Sequence, residues 1–83
     1  MKVQEKRLKE IFSKLFHVDV AEINDESSMD TIEEWDSLKH LKLVLALEDE
    51  CNVSFTEEES VEILSYALVK EILKDHGIEV VAE

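Results

Sequence analysis

The sequence contains no proline and a single glycine, Gly77, among its 83 residues. Proline and glycine are the residues that most often interrupt helices and form tight turns. Their scarcity favours helices over a sheet with tight turns. A chain of this length forms one domain, and we expect a single unit over residues 1–83.

Cysteine and long apolar runs are also scarce. Cys51 is the only cysteine, so the chain cannot form an internal disulfide, and we expect a reducing, cytoplasmic location. A lone cysteine on an apolar helix face is usually buried in the core. No apolar run approaches the roughly 18 residues of a membrane span, and the N-terminus lacks the apolar segment of a signal peptide. We therefore expect no stable membrane insertion.

Basic residues are outnumbered, since nine Lys and Arg against 21 Asp and Glu give a formal charge of −12. Nucleic-acid phosphates and anionic membranes both require a basic surface, so neither is an expected partner. An acidic surface instead suits protein partners that present Lys and Arg. Because 45% of the residues are apolar, the chain is not a disordered acidic tail.

Metal-ligand patterns and catalytic spacings are missing too. The three histidines, His17, His40 and His76, form no metal-ligand pattern, and His40 is expected to be an ordinary exposed histidine. The acidic segment 24–30 lacks the glycine that an EF-hand loop requires. No metal site and no catalytic Ser-His-Asp or Cys-His arrangement is predicted. Weak, nonspecific binding of divalent ions stays open. A divalent-ion sensor is a separate alternative, which would require saturable tight binding and a large conformational change.

What the chain does contain is a series of helical patterns. The first helix is predicted from about Lys2 to Phe16, on an apolar stripe formed by Leu8, Ile11, Phe12, Leu15 and Phe16. A long acidic loop follows over residues 17–35, with a short capped turn at residues 19–22. Isolated apolar residues are expected to anchor this loop: Val20, Ile23, Met29 and Ile32. Trp35 is expected to pack the end of the loop against the helix.

The second helix is predicted from about Ser37 to Cys51, and its apolar residues cover a wide face. These residues are Leu38, Leu41, Val44, Leu45, Leu47 and Cys51. Two interpretations stay open: all of them belong to the core, or those nearest Ser37 contact a partner.

The last two helices have clear start signals. Thr56 and Glu59 match a capping box before a short third helix over about residues 57–63. Ser65 is the candidate cap of the fourth helix, whose expected buried stripe comprises Leu68, Val69, Ile72 and Leu73. This helix ends near Gly77, and residues 78–83 are expected to form a loosely held tail. The predicted fold is all-α: a small four-helix bundle with three longer helices, one short third helix and a long first loop.

Ser37 lies where the acidic loop ends and the second helix begins. The first N–H groups of a helix lack intrahelical partners and its dipole is positive there, so a phosphate ester on Ser37 would be stabilised. Asp and Ser are also the commonest N-cap residues. Asp36 followed by Ser37 therefore indicates, by itself, little more than a helix start.

Three segments of the chain resemble the acyl carrier protein family. Residues 36–38 resemble its Asp-Ser-Leu motif, in which the serine bears a 4′-phosphopantetheine arm. Residues 41–50 resemble its second helix with an Ala-Leu-Glu-Glu-Glu ending, and residues 53–59 resemble the segment before its short third helix. With the length, the acidity and the long first loop, the similarity covers nearly the whole chain.

The resemblance implies that a phosphopantetheinyl transferase using Mg²⁺ attaches the arm of coenzyme A to Ser37. Asp36 would cap the helix and help to place the metal ion. A stand-alone, monomeric carrier would then deliver acyl thioesters to acyl-loading and acyl-processing enzymes and catalyse nothing itself. Contacts with these partners are expected from the helix that Ser37 begins, at Leu38, Lys39, His40, Lys42, Glu48 and Asp49.

The sequence departs from the family's fatty-acid carriers on both sides of Ser37. Glu-Trp at residues 34–35 stands where these carriers usually have a glycine, and Lys39, His40 and Lys42 make the following turn less acidic. We expect a specialised carrier with its own loading enzyme, in a polyketide-like or other secondary pathway, while a fatty-acid pathway stays open. Two alternatives stay open: these positions drifted without consequence, or the chain is an unmodified acidic module that binds basic protein partners.

Overall fold

The computed structural model describes residues 2–82, and within this range it contains four helices and two short strands. The helices are α1 (Glu5–Phe16), α2 (Ser37–Cys51), α3 (Glu57–Glu62) and α4 (Tyr66–Asp75). A 3₁₀ turn at Val20–Glu22 lies in the first loop, capped by Asp19 as the sequence predicts. The expected small helical bundle with a short third helix is confirmed. No described helix has the length and apolar character needed to cross a membrane.

Both ends of the described chain differ from the sequence prediction. Residues Lys2–Gln4 form strand β1 rather than the first turn of α1, and Glu79–Val81 form strand β2. The strands pair in parallel, with Val3 opposite Val80. β-branched side chains favour this extended pairing, and Val3 and Ile78 are buried in the core. The expectation of a loosely held tail is therefore wrong for residues 78–81, and residue 83 lies outside the described residues.

The core lies between α1, α2 and α4 and is rich in aromatic rings. Phe12 is its centre, with its ring edge-on to the rings of Phe16, Trp35 and Tyr66 at centroid distances of 5.2 to 5.7 Å. Tyr66 is fully buried, and its hydroxyl donates a hydrogen bond of 3.1 Å to Glu5. Burial and the adjacent Glu5 carboxylate raise the pKa of Tyr66, so the phenol stays neutral.

The long first loop is anchored along its length. Ile23 and Ile32 are buried and Met29 packs against the core, as predicted, whereas Val20 is only half-buried. The backbone N–H of Met29 donates to the carbonyl of Leu64, which fixes the loop against the connection between α3 and α4. The loop is therefore fixed to the rest of the molecule before it reaches the start of α2.

The fourth helix shows how far helical periodicity predicts burial. Tyr66, Val69, Ile72 and Leu73 are buried, and three of these were expected. Leu68, expected in the same stripe, is 39% exposed. It lies at the edge of the buried face, where it lines a groove together with Val61 and Leu64. Cys51 is fully buried at the end of α2, as predicted, and its burial raises the pKa of the thiol.

Candidate functional site

The start of α2 is built by Asp36 rather than by Ser37. The Asp36 side chain accepts the backbone N–H of Lys39 at 2.9 Å, and its carbonyl accepts the N–H of His40 at 2.8 Å. Asp36 is thus the N-cap, and Ser37 is the first residue inside the helix. The Ser37 side chain is exposed at the positive end of the helix dipole. A covalently attached anionic group at this position would meet no steric barrier from the core.

Trp35 holds the approach to this site. Its ring is 3% exposed and stacks on Phe16 with a centroid distance of 5.1 Å. The indole N–H donates to Nδ1 of His40 at 3.0 Å. The sequence prediction that Trp35 packs the loop end against the helices is confirmed.

His40 continues this connection to α3. An indole nitrogen can only donate, so Nδ1 of His40 is an acceptor and the ring proton is on Nε2. Nε2 then donates to the backbone carbonyl of Ser60 at 2.7 Å. That carbonyl is available because the last four carbonyls of a helix have no intrahelical partner. The expectation of an ordinary exposed histidine is wrong: His40 is half-buried and joins Trp35, α2 and α3.

The cationic side chains near Ser37 are not equivalent. Lys39 donates to Glu34 at 2.6 Å, and the same carboxylate oxygen lies 2.8 Å from Nδ1 of His17. The hydrogen bond from Lys39, followed by that from His17, lowers the pKa of Glu34. The charge of Lys39 is therefore largely compensated within the chain, whereas Lys42 is exposed. The locally basic character predicted for this turn is carried mainly by Lys42.

An apolar stripe on α2 begins beside Ser37. We use the name α2 stripe for Leu38, Leu41 and Leu45, which are 65%, 56% and 57% exposed. Their spacing places them on one side of the helix, while Leu43, Val44, Leu47 and Cys51 form the buried side. The interpretation that all the apolar residues of α2 are core is wrong. The other interpretation, contact with a partner, stays a prediction.

The two acidic residues predicted to meet partners at the far end of α2 have different surroundings. Glu48 accepts the backbone N–H of Phe55 at 2.7 Å and so braces the connection from α2 to α3. Asp49 is exposed. Of this pair, Asp49 is the one whose carboxylate faces solvent on the same side as Lys42.

α3 is fixed at its start by the capping box that the sequence predicts. The Thr56 hydroxyl accepts the N–H of Glu59 at 3.1 Å, and the Glu59 carboxylate accepts the N–H of Thr56 at 3.0 Å. Glu59 also lies 2.8 Å from Nε2 of His76, just after α4. The backbone bond from Thr56, with a further contribution from His76, lowers the pKa of Glu59.

The site residues predicted from the sequence are therefore only partly brought together. Asp36, Ser37 and the α2 stripe form one continuous surface at the start of α2, whereas Lys39, His40 and Glu48 are engaged inside the chain. Within residues 2–82 no group of three or more His, Cys, Asp or Glu side chains is arranged to hold a metal ion. The role of Ser60 was missed, since nothing in its local sequence indicates that its carbonyl meets a histidine twenty residues earlier.

The chain matches a known protein family over most of its length. The family model described as "Phosphopantetheine attachment site" matches residues 6–73. This range begins in the first turn of α1 and ends in the last turns of α4, so it includes α2, α3, most of α1 and α4, and the junction at residues 36–38. Members of that family carry covalently attached 4′-phosphopantetheine.

Proposed function

This chain belongs to the phosphopantetheine-attachment family, and on that premise we propose that Ser37 is the residue that carries the arm. The observation that supports this assignment is that two different residues cap α2 and expose a hydroxyl at its start. Asp36 caps the helix, so the exposed Ser37 hydroxyl is not needed for capping. Ser65 and Thr56, at the starts of α4 and α3, use their hydroxyls as caps.

The geometry around Ser37 fits the group. The phosphodiester formed there would carry a negative charge at the N-terminus of a four-turn helix, where the dipole and the first backbone N–H groups stabilise it. The carboxylate of Asp36 is itself negatively charged and lies beside the serine, where it would attract the Mg²⁺ used in attachment. The bound arm supplies a terminal thiol that holds an acyl group as a thioester.

The α2 stripe supplies the contact surface for the enzymes that load and process the acyl group. Leu38, Leu41 and Leu45 are large apolar side chains exposed beside the attachment point, which is unusual for an isolated surface helix. Lys42 and Asp49 flank them, so a matching enzyme presents apolar residues with an acidic group opposite Lys42. The carrier itself performs no catalysis in this scheme.

The charge at the same turn supports a specialised pathway. An enzyme that requires a uniformly acidic carrier surface would be repelled by Lys42, and this supports a specialised loading enzyme. Since Lys39 is paired with Glu34, the discrimination between partner enzymes rests on one exposed cation, Lys42. The assignment to a polyketide-like or other secondary pathway, and to the cytoplasm, is part of this proposal.

The decisive experiment is the intact mass of the protein after incubation with coenzyme A, Mg²⁺ and a broad-specificity phosphopantetheinyl transferase. Wild type is expected to gain one phosphopantetheine, and Ser37→Ala none. Ser54→Ala is the matched control, because Ser54 is also exposed but lies in the connection between α2 and α3. Modification that persists in Ser37→Ala would contradict the assignment.

A further inference from the structure

A second apolar surface lies away from the α2 stripe, between α3 and α4. It is a groove of about 380 Å³. Val61 on α3, Leu64 in the connection and Leu68 on α4 line it, with the buried Ile72 at its floor. We call it the α3–α4 groove.

The exposure of these side chains is high. Val61 is 66%, Leu64 49% and Leu68 39% exposed, and within residues 2–82 the only other large apolar side chains as exposed are those of the α2 stripe. Apolar residues scattered singly over a surface are normal, but three that converge on one concave groove mark a contact surface.

The walls of the groove are fixed before anything binds. At one end the Glu59–His76 pair joins the start of α3 to the end of α4. At the other end the carbonyl of Leu64 accepts the N–H of Met29, so the first loop holds the connection between the helices. A preformed groove loses little conformational entropy on binding, which favours affinity.

The rim of the groove carries charge of one sign. Glu62, Glu71 and Asp75 are exposed along it, and among the described lining residues none is Lys or Arg. The lysines of α4 lie on the edge of that helix that faces away from the groove. There Lys70 pairs with Asp25 of the first loop at 2.6 Å. The groove is therefore apolar inside and acidic at its edge.

We propose that the α3–α4 groove binds an amphipathic helix of a partner protein with Lys or Arg residues beside its apolar stripe. From Leu68 to Asp75 the α4 wall is about 10 Å long, at 1.5 Å per residue, which matches about two helical turns of a ligand. Apolar residues at spacings of three, four and seven would enter the groove, and the flanking cations would meet Glu62, Glu71 and Asp75. This contact does not involve Ser37, so a partner held there leaves the start of α2 accessible.

The test uses a fluorescein-labelled synthetic peptide of Leu and Lys whose leucines follow that helical spacing. A peptide of the same composition, with its leucines spread around the helix, controls for general attraction to an acidic protein. We expect saturable binding of the first peptide by anisotropy and at least about tenfold weaker binding of the second. Equal affinity for both peptides, or no saturable binding, would overturn the proposal.

Two matched pairs of variants locate the binding site. The triple variant Glu62→Gln, Glu71→Gln, Asp75→Asn is expected to weaken binding about tenfold. Glu22→Gln, Glu26→Gln, Glu33→Gln removes the same charge from the first loop and is expected to change it less than about twofold. Val61→Gln is expected to weaken binding and Leu45→Gln, on the α2 stripe, to leave it unchanged. The reverse result in either pair would overturn the assignment to this groove.

Two further measurements separate this proposal from its alternatives. Loading of Ser37 by the transferase is measured on the groove variants, so that loss of peptide binding with retained loading is attributed to the groove alone. Sedimentation of the unmodified protein at increasing concentration tests whether a second copy occupies the groove. A dimer that Val61→Gln dissociates would identify that second copy as the occupant and overturn the proposal of a partner helix.

Discussion

A serine lies at the start of both α2 and α4, as the first residue of α2 and as the residue before α4, yet the two serines have different tasks. Ser65 precedes α4 and its hydroxyl accepts the N–H of Leu68 at 3.2 Å, so it is a structural cap. Ser37 follows a cap that Asp36 provides, and its side chain is exposed. A shift of one position relative to the cap separates a serine that stabilises a helix from one that is available for modification.

The strongest way to break this comparison is to exchange residues 36 and 37. The double variant Asp36→Ser, Ser37→Asp keeps a good N-cap and places an acidic residue in the first turn of α2, so we expect it to fold. It moves the serine into the capping position, where its hydroxyl accepts a backbone N–H, and we expect loading with phosphopantetheine to be lost. Intact mass after the transferase reaction measures this, with circular dichroism as the folding control. Loading at the wild-type rate would show that the capping position does not matter.

A second pair of variants separates the cap from the charge at Asp36. Asn caps a helix as well as Asp, so Asp36→Asn is expected to keep the free energy of unfolding while it slows loading at least about tenfold through weaker Mg²⁺ placement. Asp36→Ala removes both the cap and the charge, so it is expected to slow loading and also to lower the free energy of unfolding by about 1 kcal/mol. Urea unfolding and transferase kinetics measure the two effects. If Asp36→Asn is loaded as fast as wild type, the carboxylate has no role in attachment.

The third prediction concerns Ser65, the serine whose hydroxyl caps α4. Ser65→Ala removes the acceptor for the Leu68 N–H, and we expect the free energy of unfolding to fall by about 1 kcal/mol. Loading at Ser37 should stay unchanged, since the two helix starts are separate. Ser65→Asp restores an acceptor and serves as the control. A stability loss in Ser65→Asp as large as in Ser65→Ala would argue against capping as the cause.

The start of α3 gives the smallest effect and adds a dependence on pH. The pKa of Glu59 is lowered by the Thr56 N–H and by His76, so its carboxylate stabilises the folded state above the ordinary carboxyl pKa of about 4.3. That contribution is lost as the pH falls through the lowered pKa of the folded state. We expect wild type to be more stable than Glu59→Gln at pH 6 and the difference to shrink below about pH 4. Urea unfolding of both proteins over this range is the measurement, and a constant difference would contradict the assignment.

The sequence was informative wherever the interaction is local. Asp36 as a candidate cap, the capping box of Thr56 and Glu59, and Ser65 as the start of α4 all rest on residues within one helical turn of each other. The candidate attachment residue has a different basis. Residues 36 and 37 alone indicate little more than a helix start, and Ser37 is the candidate because the resemblance to carrier proteins covers nearly the whole chain.

Features that depend on distant contacts were not predictable in the same way. α2 is apolar on two sides, and helical periodicity does not indicate which side meets the core. The exposure of Leu41 therefore becomes evident only from how α1 and α4 pack against α2. The pairing of β1 with β2 joins residues more than seventy positions apart. The contact of His40 with the Ser60 carbonyl depends on where α3 lies after its turn, which no local pattern specifies.

The two hydrogen bonds that link Trp35 through His40 to α3 have a spectroscopic consequence. Trp35 is the only tryptophan, so all indole emission comes from a ring whose N–H is tied to the imidazole that holds α3. Any ligand that draws α3 away from α2 has to disturb this imidazole, and the wavelength and intensity of the emission change with it. The protein thus contains its own optical probe for the opening of the gap between these two helices, with no added label.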